Sequence, residues 1–117
     1  MSNLEFLDIH SNKIDSVPES ICNLTKLQAL NISYTDLKSL PKNIDSLSEL
    51  IRLDLFGCRL TSLPSELKNL KKLRYLNVYD NFGLKEDYKK WFDAKIYTCK
   101  DDPEEDTAWV EKWYYNE

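Results

Sequence analysis

Three stretches of this chain repeat one pattern: IDSVPESICNLTKLQALNI (14–32), LKSLPKNIDSLSELIRLDL (37–55) and LTSLPSELKNLKKLRYLNV (60–78). Aligned on Leu4, Leu27, Leu50 and Leu73, the units recur at a constant interval of 23 residues. Within a unit, apolar residues stand at positions 1, 4, 6, 11, 14, 18 and 21, and proline follows position 14 as Pro18, Pro41 and Pro64. A fixed period in this range is the signature of a stack of like units. Positions 4 and 6 alternate, as a strand with one buried face does. Positions 11, 14, 18 and 21 lie three or four apart, as one stripe of a helix or helical turn does. Proline stands where the helical half begins, where a missing N–H does no harm. Each unit therefore reads as strand, turn and short helix. None could bury its apolar side alone, but side by side the units share one core.

The pattern divides the chain in two. Residues 1–84 hold 10 Lys+Arg against 10 Asp+Glu, whereas residues 85–117 hold 6 against 10 and so carry the whole net charge of −4. Trp91, Trp109 and Trp113 also fall in the second part. The expected organisation is a repeat domain over 1–84, with units starting at 4, 27, 50 and 73, and a C-terminal capping segment over 85–117. No apolar run approaches the roughly 18 residues that cross a bilayer, and MSNLEFLDIH has neither the basic start nor the apolar stretch of a secretory leader. Cys22, Cys58 and Cys99 are far apart and show no disulfide-framework or metal-ligand spacing. A cytoplasmic location is expected.

These repeats resemble the leucine-rich repeat family, in its 23-residue form with an LP-x-x-[I/L]-x-x-L half, as found in intracellular Ras-group-like and bacterial proteins. The resemblance covers about residues 4–84: three full units and half of a fourth. It implies an α/β architecture: a right-handed solenoid with a parallel sheet on its concave face, short helices on its convex face and a helical C-terminal cap. It also implies a ladder at the ninth position of each unit, where the family usually places an Asn that satisfies backbone groups of the neighbouring turn. Here that column reads Asn12, Thr35, Cys58, Asn81, so the ladder is expected to weaken in the middle, and Cys58 to be a small buried side chain.

Unit four departs after Asn81, with Gly83 where an aliphatic residue belongs and no proline in KEDYKKWFDA. Residues 85–99 read as a degenerate last turn closing the core. DDPEEDTAWVEKWYYNE reads as one more, acidic helix over about 103–115: Asp102 caps it, Pro103 opens it and Glu104, Glu105 and Asp106 complement its dipole. Trp109 and Trp113 share a face, to pack on the solenoid end, on a partner or on a second copy. At the other end Leu4 already belongs to the first strand, so the N-terminal edge is expected to be uncapped. A longer parent protein, end-to-end self-association and a folded-back tail each account for that edge.

Outward strand positions line the concave face. Position 3 gives Phe6, Ala29, Arg52 and Tyr75; position 5 gives Asp8, Asn31, Asp54 and Asn77; position 7 gives His10, Ser33, Phe56 and Tyr79; position 8 gives Ser11, Tyr34, Gly57 and Asp80. Column 5 alternates acid and amide, which avoids stacking like charges on neighbouring strands and suits a hydrated ladder. Columns 3 and 7 are expected to set Phe6, Phe56, Tyr75 and Tyr79 in water around Arg52. Grouped exposed aromatics need an explanation, and Tyr and Arg are common anchors at interfaces. The candidate protein-binding set is thus Phe6, Arg52, Phe56, Tyr75 and Tyr79, with His10 and Tyr34 at its edge. The other readings of this surface are that the tail covers it or that it has no role.

No catalytic residue, cofactor or metal is expected. His10 stands alone, the two glycines (Gly57 and Gly83) form no phosphate loop, and no nucleophile–base pair is visible. Cys99-Lys100-Asp101 spells the C-x-D of secreted bacterial ubiquitin ligases, but their catalytic domains far exceed this tail. Neutral repeats and an acidic tail disfavour nucleic acid. The leading expectation is a non-catalytic module binding a protein or peptide on its concave face. The alternatives are a small acidic inhibitor or immunity-type protein acting through its tail, and a fragment of a larger receptor, scaffold or effector.

Overall fold

The structure is a computed structural model that describes residues 3–85 and Trp91. Four three-residue strands, β1 (Phe6–Asp8), β2 (Ala29–Asn31), β3 (Arg52–Asp54) and β4 (Tyr75–Asn77), form one parallel sheet in chain order. Phe6 pairs with Ala29, Ala29 with Arg52 and Arg52 with Tyr75. The sequence interval is therefore the register of the sheet, and each column of the repeat is a row of neighbours in space.

Between strands the chain returns through 3-10 helices at Glu19–Asn23, Lys42–Ser46 and Ser65–Asn69. The spacing predicts a helical stripe, and the structure realises it as this tighter form. Pro18, Pro41 and Pro64 hold an extended backbone immediately before each helix. Leu24, Leu47 and Leu70 close the other end, each N–H donating to the carbonyl three residues back (Ile21, Ile44, Leu67). In a 3-10 helix residues i and i+3 eclipse, so Ile21 and Leu24, and their equivalents in later units, aim at the core together.

All seven apolar positions of units two and three are buried, from Leu27 to Leu47 and from Leu50 to Leu70. Unit one is different: Leu4, Leu7, Ile9, Ile14 and Leu24 are only partly buried against the core, consistent with the expected uncapped edge. Trp91 packs against the same core. The expected helix over 103–115, and the rest of the capping segment beyond Lys85 apart from Trp91, lie outside the described residues.

The ninth-position ladder survives with altered donors. The Asn81 amide donates to the carbonyls of Leu55 (2.7 Å), Val78 (3.0 Å) and Tyr79 (3.3 Å) and accepts from the Leu60 N–H (3.0 Å), binding unit four to unit three. Cys58 reaches back with its thiol to the Ile32 carbonyl at 3.2 Å. The Thr35 hydroxyl serves its own unit, donating to the same Ile32 carbonyl (3.0 Å) and accepting from the Leu37 N–H (3.3 Å). A thiol is a weak donor, so the middle of the ladder is satisfied but softer, as the sequence suggests.

Urea denaturation should separate these positions. Leu53→Ala should cost about 3 kcal/mol, the range for a buried leucine that leaves a cavity, and Leu7→Ala clearly less because its site is half open. Asn81→Ala, which strands several buried backbone groups, should cost about 3 kcal/mol and Cys58→Ala about 1 kcal/mol; equal losses would contradict the unequal ladder.

Candidate functional site

The strands end at position 5, and the side chain there reaches into the turn beyond. Asp8 accepts the N–H of His10 (3.1 Å), Asn31 that of Ser33 (3.0 Å) and Asn77 that of Tyr79 (3.0 Å), each through its side-chain oxygen. Column 5 therefore also anchors the turn. At the third unit Asp54 is committed to Arg52, and the Phe56 N–H donates to the Ser33 hydroxyl of the neighbouring unit at 3.1 Å.

Two of the expected exposed anchors are not in water. Arg52 is 6% exposed and Tyr75 fully buried at 0%. The Arg52 guanidinium lies 3.8 Å over the Tyr75 ring and forks onto Asp54, with Nε–Oδ2 at 2.7 Å and Nη2–Oδ1 at 3.2 Å. The Asn77 amide donates to the Tyr75 hydroxyl at 3.3 Å. A planar guanidinium can stack and fork simultaneously, so Arg52, Asp54, Tyr75 and Asn77 knit into a buried cluster on β3 and β4. Phe6 is half-buried, and His10 is exposed with Nδ1 paired to the Asp8 carboxylate. An exposed pair of this kind contributes little to stability.

The remaining anchors form a row along the rim. The rings of Tyr34 and Phe56 have centroids 5.0 Å apart at 60°, and Phe56 stacks on Tyr79 at 5.3 Å and 29°. Tyr34 is 58% exposed and Tyr79 36% exposed. The backbone that presents them is the feature the sequence reading missed. Position 8 is left-handed in every unit: Ser11 (φ 60°), Tyr34 (58°), Gly57 (67°) and Asp80 (61°). Only Gly57 adopts that region without steric cost. A Cβ at Gly57 would also sit 3.0 Å from Cδ1 of the Tyr34 ring, so this glycine leaves room for the Tyr34 ring to pack against the turn. Gly57 itself was the available signal, as a lone glycine in register with three non-glycine residues.

Elsewhere, an open apolar groove of about 560 Å³ lies at the N-terminal end of the stack, lined by Leu7, Ile9, Ile14, Val17, Ile21 and Leu24 among others. It is the bare side of unit one and carries no chemistry. Among the described residues no three His, Cys, Asp or Glu side chains are grouped to hold a metal ion, and no helix is long and apolar enough to cross a membrane. Cys22 and Cys58 are buried free thiols. Burial pushes the Cys22 thiol up from its ordinary value of 9.0, and the carboxylates of Glu19 and Asp45 add to the rise. Its thiolate is disfavoured, which argues against a nucleophile.

A parallel sheet one strand per repeat, with every column in register, defines a solenoid repeat protein. The chain belongs to the leucine-rich repeat family: residues 1–91 match the leucine-rich repeat region. Among solved structures it is similar to a leucine-rich repeat protein of Leptospira interrogans, with a TM-score of 0.74 and 34% identity over 80% of this chain and 25% of that one. The chain thus spans a quarter of the length of that relative. No curated protein matches it. The fold is one that generally serves protein interaction and is typically non-catalytic.

The Cys22 thiol gives a pH expectation. Its folded value is raised, so below the unfolded thiol's value both states hold the proton and stability is unaffected. Above it the unfolded chain loses the proton first, and folding stability falls as pH rises. The denaturation midpoints of the native chain and Cys22→Ala should accordingly converge from pH 7 to pH 10; a constant gap would refute the raised value.

Proposed function

We propose that this chain is a non-catalytic recognition module that docks a protein or peptide on the concave side of the repeats. The observation that carries this reading is the row Tyr34–Phe56–Tyr79, in which a half-buried Phe56 is held ring against ring between two exposed tyrosines. Stacked rings on a rigid sheet present a large apolar area with little side-chain freedom left to lose on binding. Of the candidates expected from the sequence, Phe56, Tyr79 and Tyr34 are the contact residues in this reading. Phe6 and His10 extend the surface toward β1, and the buried Arg52 and Tyr75 support it from beneath. The two buried free thiols suit a reducing, cytoplasmic location.

A second reading is favoured by the bare apolar side of unit one and by the quarter-length match. In it the chain works as part of a longer solenoid or end to end with a second copy, and the groove is an internal joint. Light scattering of the chain over a range of concentrations separates a self-paired species from a monomer.

The docking reading is tested by affinity capture from the source extract with the native chain and with Phe56→Ala/Tyr79→Ala. Both side chains are on the rim, so the fold should persist by circular dichroism. Captured partners should be lost, or their affinity lowered by about 2–4 kcal/mol, the scale for a pair of aromatic hot spots. Unchanged capture by a folded double variant would remove the rim from the binding surface.

A further inference from the structure

The two asparagines of the ninth-position ladder make unequal contacts. Asn81 has partners of two kinds. Within its own unit it donates to the Val78 and Tyr79 carbonyls; across the joint it donates to the Leu55 carbonyl and accepts the Leu60 N–H. Asn12 makes the first kind only, donating to the carbonyls of Ile9 (2.9 Å) and His10 (3.2 Å), the equivalents of Val78 and Tyr79. Among the described residues its Oδ1 meets no donor, and no other unit gives its amide an acceptor. Asn81 is 7% exposed, whereas Asn12 is open to solvent. The Asn12 amide is thus already turned as a ladder amide, with the cross-joint half of its contacts unmade.

The backbone beside it repeats the imbalance. At the joint between β1 and β2 the Gln28 N–H donates to the Glu5 carbonyl (2.8 Å), the Asn31 and Ser33 carbonyls accept from the Ile9 (2.9 Å) and Ser11 (2.8 Å) N–H groups, and the Asp36 N–H donates to the Ile14 carbonyl (2.9 Å). One repeat earlier, these groups are the Glu5 N–H, the Asp8 and His10 carbonyls and the Lys13 N–H, on the side of β1 away from β2. The open groove of unit one runs beside them, lined by Leu7, Ile9, Ile14 and Ile21 among others. Their equivalents in unit two, Leu30, Ile32, Leu37 and Ile44, are fully buried between neighbouring units.

Amide, edge backbone and groove fit the same occupant. It carries a carbonyl at position 6 and an N–H at position 11, on a strand parallel to β1 and followed by an apolar stripe. A second copy turned about a two-fold axis would lay its β1 antiparallel and offer these groups in reverse order. In the joints that are made, the Leu27, Leu50 and Leu73 N–H groups donate to the carbonyls of Leu24 (3.0 Å), Leu47 (3.0 Å) and Leu70 (3.2 Å), so each unit passes straight into the next strand. We infer that the β1 edge is an internal joint: it takes one further leucine-rich unit that passes directly into Leu4, with Asn12 as the residue that locks it. This rests on the second reading above and narrows its occupants to one.

The test supplies that unit to the full chain. A copy of residues 50–72, the unit that Asn81 ties in the native stack, is inserted between Asn3 and Leu4. The urea midpoint should rise, because one more joint forms. Asn12→Ala should barely move the midpoint of the native chain, yet lower that of the extended chain about as much as Asn81→Ala does. Inserting residues 50–71 instead, one residue short, turns the added strand over and should give neither the gain nor the dependence on Asn12. A copy of residues 27–49 serves if the first insertion disturbs the fold. Four results would overturn the inference. One is no gain from either full-length copy. Another is a gain that Asn12→Ala leaves whole. A third is a native chain that Asn12→Ala destabilises as strongly as Asn81→Ala, because its edge is then already covered. The last is a native chain that self-associates by light scattering and becomes monomeric on Asn12→Ala, because the occupant is then a second copy. No gain, with a monomeric native chain, also removes the second reading; the other results leave that reading standing and strike only this choice of occupant.

Discussion

Each unit must return its strand to within about 4.8 Å of the previous one, and everything else here depends on that closure. With the interval held at 23 residues, Leu30 faces Leu53 and Leu53 faces Leu76 without slip. The apolar positions have no other partner: a single unit buries nothing, so the free energy of folding resides almost wholly in the joints between units. The gradient of burial from unit one to unit three is the direct sign of this. A one-residue change of interval in any unit would turn its strand over and carry leucines to the solvent face.

The same closure aligns polar columns, and there the consequences diverge by position. At the ninth position alignment brings a side chain against the carbonyl just past the preceding unit's strand, so an amide there ties two units, as Asn81 does to Leu55. At position 5 the side chains of Asp8, Asn31 and Asn77 instead fold forward onto their own turns. At position 8 the turn forces a left-handed backbone even on Tyr34, where a bulky residue is strained by roughly 1 kcal/mol or more. The strained Tyr34 belongs to the ring row, and at Gly57, against which its ring packs, the same backbone conformation is free of steric cost.

The legible part of the molecule was the part governed by period alone. Apolar positions, strand order, register and the outward columns follow from spacing, because a repeat converts sequence distance into spatial distance. The burial of Arg52 and Tyr75 did not follow. Outward is a statement about direction, and exposure depends on what stands above; a fork from Asp54 and a stack on Tyr75 are pair geometries that no spacing encodes. The helical half was legible as a stripe but not as a 3-10 helix, since positions three apart fit both forms. The left-handed column escaped because three of its four members, Ser11, Tyr34 and Asp80, give no hint of it.

These distinctions decide where recognition energy can come from. Arg52 and Asp54 are already paired and out of water, so a ligand seeking them must break a charge-assisted fork inside a region of low dielectric. That exchange is close to neutral at best. Phe56 and Tyr79 offer the opposite balance: their rings are ordered by stacking before any partner arrives, and covering them removes apolar surface from water without undoing a hydrogen bond. A surface built this way divides its labour. The buried cluster ties β3 to β4, and in the proposed docking role the rim, ordered by its ring contacts, is what would meet a partner.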